Sequence, residues 1–127
     1  MSKLNALIKL HSNDNVAANL TVNFIKENII DVTDAAKSET RNITTSTNSI
    51  ATSSENTSGF YFYGQNKSTA VTIRLNLETD GTSGATYAAI PPGEFVFLFI
   101  PDTIGIEVST ASNAAKLHFS LFQKQSS

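Results

Sequence analysis

Val71-Thr72-Ile73-Arg74-Leu75-Asn76-Leu77 alternates apolar and polar side chains without a break. Successive residues of a strand point to opposite faces, so Val71, Ile73, Leu75 and Leu77 share one side and Thr72, Arg74 and Asn76 the other. That pattern predicts a strand buried on one face only. The same period recurs in both directions along the chain. Leu4, Ala6, Ile8 and Leu10 alternate with Asn5, Leu7 and Lys9, and Leu20, Val22 and Phe24 with Thr21, Asn23 and Ile25. Near the end, Leu117, Phe119 and Leu121 alternate with His118 and Ser120. Residues 60–63 and 95–100 are denser aromatic and aliphatic runs, which suit strands covered on both faces or strands whose outer face meets another chain.

Helical signal is thin. Residues 32–37, Val-Thr-Asp-Ala-Ala-Lys, suit at most one helical turn with Thr33 or Asp34 as its N-cap, and no apolar stripe continues beyond it. Thr and Asn stiffen the chain or compete for its backbone, which disfavours helix. Turn residues cluster at 12–15, 53–59, 64–68, 80–84, 91–93, 101–105 and 109–113. Strands of this spacing with such punctuation predict an all-β fold, an antiparallel β-sandwich (jelly-roll-like) of about eight to ten short strands. Residues 1–127 read as one domain, with residues 1–17 as an N-terminal arm or an edge strand. The Thr- and Ser-rich stretch 44–58 reads as a polar connection holding one weak strand around Ile50, the alternative being a loop that orders against a partner.

Composition narrows the function. The 127 residues include 15 Ser, 15 Thr and 12 Asn, while charged residues make up only 16%. Nine Lys and Arg against eleven Asp and Glu leave a net charge of −2, too few cations to cluster on phosphates, so nucleic acid is not an expected partner. With no Cys, disulfides, thiolate nucleophiles and zinc–thiolate or iron–sulfur sites are excluded. The start carries no long apolar segment of a cleavable signal, and the longest apolar run, 95–100, is far below the roughly 20 residues of a spanning helix. The expectation is a soluble chain made in a cytoplasm, with no membrane partner. Four Asn-x-Ser/Thr triplets begin at Asn19, Asn42, Asn56 and Asn66, and this composition gives about three by chance.

No catalytic constellation stands out. His11 and His118 are the two histidines, and neither accompanies a Gly-x-Ser-x-Gly elbow. His118 falls on the strand face opposite Leu117, Phe119 and Leu121, facing solvent or a subunit contact. Asp31, Asp34, Glu78 and Asp80 are scattered beside turns. Asp80-Gly81-Thr82-Ser83-Gly84 lacks the repeated carboxylates of a calcium loop and reads as a hairpin turn. Catalytic, cofactor-binding and metal-ligating residues are therefore expected to be none, and no cofactor is expected. Tyr61 and Tyr63 share a strand face and would suit stacking on sugar rings if that face is exposed; the bland alternative buries both faces of the strand.

The most distinctive passage is Ile90-Pro91-Pro92-Gly93-Glu94-Phe95-Val96-Phe97-Leu98-Phe99-Ile100-Pro101. It is followed by Ile104-Gly105-Ile106-Glu107-Val108-Ser109-Thr110-Ala111 and by Ala115-Lys116-Leu117-His118-Phe119-Ser120-Leu121-Phe122. This succession, over residues 59–123, resembles small virion structural proteins of tailed bacteriophages. The resemblance implies a non-enzymatic β-sandwich present in many copies on the particle, in the first place a capsid decoration (cement) protein reinforcing capsomer contacts. Its implied partners are the major capsid protein or other virion subunits, and further copies of itself. A tail, neck or baseplate component is the alternative within the virion, and a carbohydrate-binding module using Tyr61 and Tyr63 the alternative outside it.

Overall fold

The computed structural model describes residues 2–11 and 23–125, and the side chains of residues 3–7, 32 and 37–125. Nine strands follow in order: β1 Ser2–His11, β2 Asn23–Ile43, β3 Asn48–Ala51, β4 Phe60–Asn66, β5 Ile73–Thr79, β6 Thr82–Ile90, β7 Phe95–Ile100, β8 Gly105–Thr110 and β9 Ala115–Lys124. There is no helix among the described residues. All pairings are antiparallel, in a five-stranded sheet β1-β2-β9-β4-β7 and a four-stranded sheet β3-β8-β5-β6. With β1 set aside, the other eight strands counted in chain order run 1-8-3-6 and 2-7-4-5. That is the double Greek key of a jelly roll.

Period-two patterning fills the space between the sheets. β4 sends Phe60, Phe62, Gly64 and Asn66 inward and leaves Tyr61, Tyr63 and Gln65 half-buried on the outer side. β9 does the same with Ala115, Leu117, Phe119 and Leu121, and the Phe62 and Phe119 rings lie 6.3 Å apart. The facing sheet contributes Ile50, Ile73, Leu75, Ile90, Ile106 and Val108. Ile73 and Leu75 of the decisive alternation are fully buried, with Val71 and Leu77 packed at the margin. On the side where β2 meets β3, long cationic side chains tie the sheets together. Lys37 Nζ donates to Ile50 O at 3.2 Å, and Arg41 donates to Asn48 Oδ1 and Ser49 O while lying over the Phe119 ring.

Several sequence expectations need correction. Residues 32–37 belong to β2 and not to a helical turn; the β2–β9 register shifts between Val32 and Ala36, so the extra residues are taken up as a strand irregularity. The β-branched Val32 and Thr33 suit that outcome. Gly64, Gln65 and Asn66 continue β4, so the turn placed at 64–68 begins only after Asn66. β8 likewise runs to Thr110. The weak strand around Ile50 is β3. The turn at 12–15, the Asn19 triplet and residues 20–22 lie outside the described residues. Residues 2–11 form an edge strand in a hairpin with β2.

Two buried asparagines fasten the loops at the ends of the sandwich. Asn56 accepts the Gly59 N–H at 2.7 Å and donates to Pro101 O and Ile104 O at 2.7 and 2.9 Å. Asn66 accepts the Ser68 N–H at 2.9 Å and donates to Val71 O and Ile90 O at 2.7 and 2.8 Å. Two of the four Asn-x-Ser/Thr triplets thus hold side chains that the fold encloses, with exposures of 1% and 0%. An Asn here satisfies backbone groups that would otherwise be buried unpaired. Asn66→Ala is expected to cost about 2–4 kcal/mol, because it leaves two carbonyls and one N–H without partners. The exposed Asn42→Ala should stay within about 0.5 kcal/mol of the parent. Urea denaturation of the two variants checks the contrast.

Candidate functional site: an aromatic sheet face

The outer face of the five-stranded sheet is built in three rungs by the strand registers. Thr40, His118, Gln65 and Phe95 form one, Ser38, Ser120, Tyr63 and Phe97 the next, and Phe122, Tyr61 and Phe99 the third. The first two rungs are polar on β2 and β9: Ser38 Oγ and Ser120 Oγ are 3.0 Å apart, and Thr40 Oγ1 lies 3.0 Å from His118 Nδ1. On β4 and β7 the rungs are aromatic except at Gln65, and Phe122 of β9 extends the third. Tyr61 stacks on Phe97 with centroids 6.2 Å apart and meets Phe99 at 5.0 Å, and Tyr63 meets Phe95 at 6.1 Å. Lys124 Nζ sits 5.7 Å over the Phe99 ring.

Much of this aromatic surface remains in contact with water. Phe95 is 63% and Phe99 45% exposed. The reading of 95–100 as a strand covered on both faces is therefore not what forms within one chain; Ile100 is buried inside, Val96 and Leu98 are half-buried, and the other face is open. Tyr61 and Tyr63 are half-buried on this outer face, neither fully open nor enclosed. Phe99 is further fixed by Gly59, whose φ of +103° and missing Cβ let the ring lie against the backbone; a Cβ would come within 2.6 Å of it.

The first strand also reaches this face. β2 is 21 residues long, about twice the upper end of the usual strand length. Its second half pairs with β9 and its first half with β1, on either side of the register shift at Val32 and Ala36. Leu4, Asn5, Ala6 and Leu7 of β1 line a groove of about 330 Å³ with Tyr63, Phe95, Phe97, Ser120 and Phe122. The β1–β2 ribbon thus stands over the aromatic rungs without filling the space above them, and Leu7 stays 59% exposed. Nothing in the alternation of residues 4–10 signalled this contact.

The other expected positions sit elsewhere. His11 ends β1, and His118 belongs to the polar half of the outer face. Asp80 and Gly81 form a two-residue hairpin loop between Thr79 and Thr82, with φ of 51° and 81°, the conformation a type I′ turn requires. Glu78 beside it is 5% exposed, and its two oxygens accept the N–H groups of Ser53 and Gly81 at 2.9 and 2.8 Å. Its carboxylate is consumed by backbone and closes the end of the sandwich. Among the described residues no three of His, Asp and Glu gather in a way that would hold a metal ion, and no helix is long and apolar enough to cross a membrane.

No protein-family model matches this chain, and no curated protein matches it. The chemistry of the site rests on its own geometry: a broad apolar and aromatic area, phenol hydroxyls at its middle, and an adjoining sheet edge. Such a surface has the character of one that apolar or ring-bearing groups cover.

Glu78 supplies a pH signature for the fold that carries this face. Hydrogen bonds from the Ser53 side chain, then from the Gly81 and Ser53 backbone, hold its carboxyl below the ordinary carboxylate range, against the opposing effect of burial. A depressed folded value stabilises the protein above the unfolded value, and the contribution disappears as pH falls through the folded one. Glu78→Gln should therefore lower Tm at neutral pH and flatten the loss of Tm on acidification. Thermal unfolding from pH 7 into the acid range checks both.

Proposed function

We propose that this chain is a non-enzymatic structural subunit of a bacteriophage virion, a capsid decoration protein that docks on the head and reinforces contacts between capsomers. The observation that carries the reading is the aromatic outer face. Six aromatic side chains on β4, β7 and β9 stand together beside an open sheet edge, and Phe95 and Phe99 are left largely in water. A contiguous apolar patch of this kind marks a surface that a partner covers. The resemblance of residues 59–123 to virion proteins supplies the identity of that partner, the major capsid protein or another virion subunit. The low charge supports attachment by apolar burial and strand pairing. The jelly roll does not choose between readings, since capsid and lectin domains both use it.

A carbohydrate-binding module is the second reading, and one observation favours it: Tyr61 and Tyr63 lie side by side on a partly accessible face, Tyr61 stacked on Phe97 and Tyr63 tilted against Phe95. The two readings separate in one experiment. Purified protein is mixed with heads lacking it and the mixture is sedimented. Retention is expected, and it should be nearly unchanged in 1 M salt, where the Debye length falls to about 3 Å and ion pairs weaken. Phe95→Ser with Phe99→Ser should abolish retention while far-UV circular dichroism stays that of the parent. Loss of binding in high salt, or full retention of the double variant, would overturn the proposal. A Tyr61→Ala, Tyr63→Ala variant that folds normally, still binds heads and loses affinity for a glycan would install the carbohydrate reading in its place.

A further inference from the structure

Among the described residues, the side of β7 away from β4 is unpaired, and it differs from the other edges of the two sheets. β1 carries Lys3 and Lys9. The half of β2 that runs past β1 carries Lys37, Glu39 and Arg41. β3 has four residues and a register shift, and β6 has two register shifts along its pairing with β5. Charges, short length and irregularity are the devices that stop an edge from pairing with another chain. β7, Phe-Val-Phe-Leu-Phe-Ile, has none of them: it is six residues of regular register without a charge, a Gly or a Pro. Among the described residues it pairs only with β4.

The direction of its backbone groups follows from the neighbouring bonds. Lys67 N donates to Lys116 O and Lys124 N to Gly59 O, so the odd-numbered residues of β4 bond to β9. Bonding direction alternates along an antiparallel strand, so the even-numbered residues of β4 face β7 and pair there with Val96, Leu98 and Ile100. Asn66 N donating to Glu94 O agrees. The N–H and C=O groups of Phe95, Phe97 and Phe99 therefore point to the free side, on the residues whose rings form the outer edge of the aromatic face.

We infer that β7 pairs with β7 of a second copy of this chain, antiparallel and about a two-fold axis at Phe97. Residues opposite each other in a sheet share a face, so odd positions must meet odd positions. Centring the axis on Phe97 does this and sets Phe95 against Phe99 of the second copy, and Phe97 against its own equivalent. Each copy's three outward N–H groups then find the three outward carbonyls of the other. The aromatic rungs become continuous across the axis, and cross-strand aromatic pairs stabilise such a junction. The register is self-complementary because the strand is uniformly apolar, which is what a two-fold contact requires.

The inference deepens the reading of a virion subunit that is present in many copies, and rests on it only for the biological setting. A fully exposed Phe offers roughly 200 Å², so Phe95 and Phe99 together leave about 200 Å² per copy uncovered. Even their complete burial in a pair would give only about 400 Å², well below the roughly 1,600 Å² of a standard stable interface, and edge pairing covers the sides of the rings while leaving the outer face open. The pair is accordingly weak and exchanging in solution, and becomes firm only when a lattice also holds both copies.

Light scattering on the intact protein, together with amide hydrogen exchange, tests this. A dimer should appear at tens to hundreds of micromolar, with the Phe95, Phe97 and Phe99 amides losing protection on dilution while those of Val96, Leu98 and Ile100 keep it. Phe95→Lys with Phe99→Lys sets lysines against lysines and should leave only monomer. Phe95→Lys with Phe99→Glu removes the same rings but sets each Lys against a Glu in the proposed register, and should restore the dimer. A parent protein that stays monomeric with those three amides exchanging freely at every concentration would overturn the inference. Two double variants that behave alike while folded would overturn it too. If both variants unfold, the exchange pattern of the parent decides alone. A monomer that still binds phage heads would sink the pairing and spare the decoration reading, whereas a dimer that ignores heads would do the reverse.

Discussion

The strict alternation of β4 between β9 and β7 is the constraint from which the rest of the molecule follows. A strand has two faces, and in β4 each has a separate task. Phe60 and Phe62 supply the middle of the core, Asn66 ends the inward series as a polar plug, and Tyr61 and Tyr63 stand at the centre of the outer face. A slip of one residue would bury the phenols and expose the phenylalanines, so core and surface are specified by the same register. The backbone alternation that joins β4 to β9 by one set of residues and to β7 by the other also decides which groups the sheet edge presents.

The outer face follows from that register and is graded across the sheet. Its polar half carries two hydrogen-bonded pairs, Ser38 with Ser120 and Thr40 with His118. Its aromatic half is closed only by ring stacking within the chain. Aromatic groups gain most from losing water, whereas hydrogen-bonded hydroxyls gain little, so the apolar character of the face rises toward β7.

The sandwich and most of its strands were legible because burial on one face leaves a period-two trace, as in residues 71–77 and 117–121. Features without a local trace were not. The path of β2 through residues 32–37 looked like a helical turn because Asp and Ala after a Thr suit a cap, while pairing with β9 overrode that preference. The buried roles of Asn56, Asn66 and Glu78 depend on loops distant in sequence. The Asn-x-Ser pattern that marks an Asx turn at Asn66 was visible, but it is shared with chance matches. The openness of residues 95–100 was also hidden, since composition cannot tell a strand covered on both faces from one that awaits a neighbour.

Strand order has a consequence for when the molecule becomes complete. β5 and β6 adjoin in sequence across Asp80 and Gly81, so their hairpin closes a very short loop. β2 acquires its body-side neighbour only from β9, the last of the described strands. Closing so long a loop comes late and slowly, because its entropy must be overcome before the contacts reward it. During synthesis β2, with 21 residues and one side unmatched, waits for β9 to leave the ribosome. Over that interval the nascent chain exposes a long β-edge, and the charges Lys37, Glu39 and Arg41 along it then act against premature association.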